Sequence, residues 1–135
     1  SMGNFLRGKS PVAGHFKRMG QNMLKIGSNV AFGLNDTREP FASEMLGSAA
    51  TSDAIAQMEA ELEPDVVIYD MPPALYHDDV MAFREHFDGV LLVVGGGTTK
   101  ANEIRELKRR FGDDKPLLGV ILNKAEGLSI SHYSY

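Results

Sequence analysis

An α/β fold, with a parallel sheet covered by helices, is the architecture this sequence predicts, and three observations predict it. The runs "DVVIYD", "GVLLVV" and "LLGVILN" are apolar at consecutive positions. That is the pattern of strands buried on both faces of a sheet. Stretches of helical period, roughly 10 to 15 residues long, alternate with them. No internal repeat or low-complexity segment interrupts the order.

In "SPVAGHFKRM", Ser10 stands where a helix N-cap would and Pro11 at the first helical position. Val12, Phe16 and Met19 then share a face, which predicts a short helix. A strand is expected through "NMLKIGSNVAFGLN", broken at Gly27 and Ser28. "NDTREP" reads as a loop. From Ser43 to Glu61 the stripe is helical, through Met45, Leu46, Ile55, Met58 and Leu62. Gly47 and Ser48 are expected to divide it, and Pro64 to end it. "DVVIYD" is the first buried strand. Val80, Phe83 and Phe87 mark a short helix, for which Asp78 is the expected cap. "GVLLVV" is the second strand. "TTKANEIRELKRRF" is an amphipathic helix, capped by Thr98 or Thr99, with Ile104, Leu107 and Phe111 inward and an outward Glu106–Arg110 pair. "LLGVILN" closes the order. The tail, residues 128–135, is polar and expected to be mobile.

At 135 residues the chain predicts one domain with a real core. Its 43% hydrophobic and 24% charged content is that of a soluble globular protein. There is no cysteine, so disulfide and thiolate chemistry are excluded. No apolar run approaches the roughly 20 residues that span a bilayer. No secretory signal is visible at the start, and "SMG" has the look of a cloning remnant. The net charge of −4 is unevenly spread. Residues 1–40 carry six Lys or Arg against two acids, 41–90 one against eleven, and 91–135 seven against five. The acidic middle argues against a nucleic-acid track, so no nucleic-acid partner is expected.

In parallel sheets, ligands sit beyond the carboxyl ends of the strands. Three loops leave those ends here: 70–79, 95–99 and 123–127. Asp70 closes the first strand, and either caps the next turn or carries chemistry. Pro72 and Pro73 fix the backbone after it, so the carboxylate leaves the strand in a set direction, as suits holding Mg²⁺ through water. In "VILNKAEG", Asn123 and Lys124 follow an apolar strand. That is either a simple strand-end turn or a grip on a nucleotide base, with the amide and the lysine stem along the base plane. "GGGTTK" is either a structural turn or a partial imitation of a phosphate cradle. His77 and His132 are too far apart in sequence to suggest a metal site.

The stretch "PDVVIYDMPPALYHDDVMAFREHFDGVLLVVGGGTTKANEIRELKRR", followed by "LLGVILNKAE", resembles the bacterial tyrosine kinases of exopolysaccharide and capsule synthesis. These are relatives of the MinD and ParA ATPases of the P-loop class. The family shows a strand ending in Asp-Thr-Pro-Pro, an aspartate six residues past the second proline, "DGVLLVV", a Thr-Thr helix cap and a "GVVLN" strand. Asp70, Pro72, Pro73, Asp79, Asp88, Thr98, Thr99 and Asn123 fall in that register. The likeness is strongest from residue 64 to 126 and looser upstream, where "NMLKIGSN" and "REPFASEMLGS" resemble the segment after the family's second acidic motif.

The resemblance implies a partial P-loop, MinD-like fold and a parent protein that transfers phosphoryl from MgATP to tyrosine. By it, Asp70 would be catalytic and hold Mg²⁺ through water, Asn123 and Lys124 would bind the nucleotide, and Tyr133 and Tyr135 would be phosphoacceptors. It also implies a cytoplasmic site at the inner face of the bacterial inner membrane, beside a membrane polysaccharide co-polymerase. The chain departs from the family in having Met71 where a threonine is usual, and no G-x-x-x-x-G-K-[ST]. It is therefore expected to be the C-terminal portion of such a domain, inactive alone, with no ATP or Mg²⁺ bound. A missing central strand would leave an open sheet edge, so self-association is also expected. The alternatives are a non-catalytic module of a polysaccharide-export complex and a MinD/ParA-type positioning ATPase.

Overall fold

A computed structural model describes residues 1–18 and 29–125. Among these residues the protein is mixed α/β, with one antiparallel and one parallel pair of strands. It divides into two compact units, Ser1–His86 and Phe87–Tyr135.

The first unit opens with a helix that has too few residues to show a period. It is α1, Met2–Leu6, and the Ser1 hydroxyl accepts from the Asn4 N–H. The helix expected from Ser10 is shorter than its stripe. α2 spans Val12–His15, and Phe16 leaves it in extended backbone. The chain then enters β1, Phe16–Arg18, which pairs antiparallel with β2, Ala31–Gly33. Phe16 lies opposite Gly33, and a Cβ at Gly33 would stand 2.7 Å from the Phe16 ring. Glycine there makes room for the aromatic ring, and that long-range contact overrides the local helical pattern. Much of the strand expected over residues 22–34 lies outside the described residues.

The division at Gly47 and Ser48 is present. α3 is Ala42–Leu46 and α4 is Ala49–Leu62. The Ser48 hydroxyl caps α4 by accepting from the Thr51 N–H, and Glu63 ends it in the left-handed region at φ 45°. Thr51 is fully buried, and its hydroxyl donates to the Met45 carbonyl at 2.6 Å. That bond ties the two helices across their break. Phe5, Leu6, Val12, Ala54, Ile55, Met58, Val80 and Phe83 form the core of this unit.

The His15 ring lies flat on Phe5, with centroids 5.2 Å apart, and edge-on to Phe16. Its Nε2 is buried without a hydrogen-bond partner among the described residues. Burial pushes the imidazole below its ordinary value of 6.5, the terminal amine adds to this, and Asp36 opposes it. The neutral form is therefore the one the fold stabilises. Its contribution is present above about pH 6.5 and is lost as pH falls below that value. The expected result is a melting temperature that drops between pH 7 and pH 5 more steeply in the native chain than in a His15→Phe variant. Parallel profiles for the two proteins would refute it.

Residues 66–70 correct the sequence reading. They belong to no strand. Val66 and Ile68 are 76% and 88% exposed, whereas Val67 and Tyr69 are half-buried. A β-branched run favours extended backbone, but a strand also needs a neighbour's N–H and C=O groups. α5, Asp79–Ala82, and a 3₁₀ turn, Arg84–His86, follow. Asp78 stands at the cap position of α5 but makes no side-chain capping bond there.

The second unit is a βαβ element. β3, Val90–Gly95, runs parallel to β4, Leu117–Asn123, and α6, Ala101–Phe111, connects them. Leu107 and Phe111 are buried, as their stripe predicts. Glu106 accepts from both Arg109 and Arg110, and the Arg109 hydrogen bonds, then those of Arg110, draw its carboxyl down to about 2. Burial on both faces, expected for these strands, is not observed. Leu91, Val93, Leu118, Val120, Ile121 and Leu122 are 46–71% exposed, and Val94 is the buried member of β3. Among the described residues, β3 and β4 pair with no further strand, and a strand without a second neighbour presents unpaired N–H and C=O groups.

Candidate functional site

The carboxyl ends of β3 and β4 meet in register, Gly95 against Asn123. The Gly96 N–H extends the ladder by donating to the Asn123 carbonyl at 2.7 Å. The chain then reverses through Gly97, at φ +72°, a conformation that favours glycine. A Cβ at Gly96 would stand 2.8 Å from the Lys124 carbonyl oxygen and 3.2 Å from the Ala125 Cα, so only glycine lets the two loops close on each other.

The threonines serve this turn rather than the helix. The Gly95 N–H donates to the Thr99 hydroxyl at 3.0 Å, and the Thr98 hydroxyl donates to the Gly95 carbonyl at 3.1 Å. The N–H groups of Thr98 and Thr99 also donate to the Gly95 carbonyl. The cap of α6 is therefore Lys100, not Thr98 or Thr99, and its N–H donates to the Glu103 carboxylate at 2.7 Å. A phosphate cradle needs backbone N–H groups aimed outward. Here those of Gly95, Gly96, Thr98, Thr99 and Lys100 are all engaged inside the protein. "GGGTTK" is a structural turn.

Asn123 and Lys124 lie side by side and exposed at this end of the unit. The Asn123 side-chain oxygen accepts from the Lys124 N–H at 2.8 Å, holding Lys124 at φ 55° in the left-handed region. The strand-end turn is therefore real. It leaves the Asn123 amide nitrogen and the Lys124 ammonium without partners among the described residues. Two shallow grooves in this unit lie elsewhere. One, of about 400 Å³, is lined by Arg105, Lys108, Arg109, Gly112 and Asp113, and the other, of about 280 Å³, by residues that include Phe111, Lys115 and Pro116.

Asp70 belongs to the other unit. Tyr69, the residue before it, sets its ring edge-on to Phe83 at 4.8 Å. Beyond it come Met71, Pro72 and Pro73, and the Tyr76 N–H closes the turn onto the Pro73 carbonyl at 3.1 Å. Asp70 is exposed, and its carboxylate has no ion pair or hydrogen bond among the described residues. The Asp70 carboxylate is therefore open to solvent, ahead of the turn at Pro72 and Pro73. Asp79 does different work, accepting from the Ser43 hydroxyl at 2.7 Å and so tying α5 to α3. Local pattern gave no sign of that bond, whose partners are 36 residues apart. Among the described residues, no group of three or more His, Cys, Asp or Glu could hold a metal ion. Tyr133 and Tyr135 lie outside the described residues, as does the rest of the tail.

The fold and these loops define a mixed α/β protein with one parallel βαβ unit. No protein family, curated protein or solved structure matches the chain.

Proposed function

We propose that the chain is the C-terminal portion of a MinD-like P-loop domain from a bacterial tyrosine kinase of exopolysaccharide or capsule synthesis. One observation carries the reading. The parallel β3–α6–β4 unit closes the 95–99 loop on Asn123, and "DMPP" stands upstream with a free carboxylate at Asp70. In the parent protein, MgATP would supply the phosphoryl group. Asp70 would hold the Mg²⁺ shell through water, Asn123 and Lys124 would flank the base, and Tyr133 and Tyr135 would accept phosphate. Transfer of this kind is chiefly positioning and charge neutralisation.

The work would take place at the inner face of the bacterial inner membrane, through a membrane polysaccharide co-polymerase. No helix among the described residues is long and apolar enough to cross a membrane. The open edges of β3 and β4 are the surface through which self-association would act. Static light scattering is expected to show a mass above that of one chain, and a strict monomer at high concentration would remove that part of the proposal.

A second reading has its own support. The N–H groups of Gly95, Gly96, Thr98, Thr99 and Lys100 are engaged internally, which supports a non-catalytic module of a polysaccharide-export complex, since such a module needs no phosphate cradle. One experiment separates the readings. MgATP is expected to leave the melting temperature of this chain unchanged and to raise that of the natural protein with its upstream segment. The natural protein is also expected to react with anti-phosphotyrosine antibody. Absence of both signals would favour the non-catalytic module. ATP hydrolysis without phosphotyrosine would favour a MinD/ParA-type positioning ATPase.

A further inference from the structure

We draw no further inference here: the strongest candidate, the bare apolar surface and open edges of the β3–β4 pair, carries none because nothing in the structure shows what covers it.

Discussion

Replacing Phe83 with alanine is expected to destabilise the Ser1–His86 unit by about 3–5 kcal/mol. Phe83 is 2% exposed and is met by two rings, Tyr69 edge-on at 4.8 Å and His86 tilted at 4.7 Å. Deleting its ring removes buried apolar surface and leaves a cavity that these larger side chains can fill only in part. The effect also reaches the candidate site. Tyr69 is the aromatic anchor of the segment that ends at Asp70, and among the described residues that segment has no strand ladder to hold it. Amide exchange at residues 66–70 is therefore expected to accelerate in Phe83→Ala under conditions where α4 stays protected. A stability loss below about 1 kcal/mol, or unchanged exchange at 66–70, would show that the ring anchors nothing.

Phe111→Ala is expected to act with similar size, about 3–5 kcal/mol, on the βαβ unit. Phe111 is 3% exposed and ends the inward stripe of α6 after Leu107. Its ring meets Phe87 edge-on at 6.2 Å. Phe87 is itself held by Lys115, whose ammonium donates to the Phe87 carbonyl at 2.6 Å and lies 5.5 Å from the ring centre. Removing Phe111 opens this aromatic corner beside Pro116, whose carbonyl accepts from the Val90 N–H where the strand pair begins. The described residues of the unit include few other buried side chains to compensate, since most apolar residues of its strands remain exposed. The chain has no tryptophan, so denaturant unfolding is best followed by far-ultraviolet circular dichroism. An unchanged midpoint would place the core of this unit elsewhere.

Much of the α/β order was legible, for reasons that differ between elements. α6 could be read because Ile104, Leu107 and Phe111 recur at three- and four-residue steps. The break between α3 and α4 could be read because Ser48 is a good cap beside a glycine. The parallel pair followed from two apolar runs flanking one helix. The failures share a cause. β1 replaces the end of a helix because Phe16 finds Gly33, and residues 66–70 stay out of a sheet because no strand among the described residues pairs with them. Both outcomes depend on partners distant in sequence, which local pattern cannot supply. The threonine cap failed for a subtler reason, as the hydroxyls of Thr98 and Thr99 bond to Gly95 before the helix begins. At the candidate site, Asn123 and Lys124 were visible as a strand-end pair, but their backbone bond and left-handed turn were not.

The close approach of Gly96 to the Lys124 carbonyl has an evolutionary corollary. Any side chain at position 96 would force the second loop to move, so neither loop can drift alone. Among descendants of this chain, substitutions at 96 should co-vary with changes at 124 and 125, while position 97, whose Cβ would meet open space, answers only to its own backbone angle.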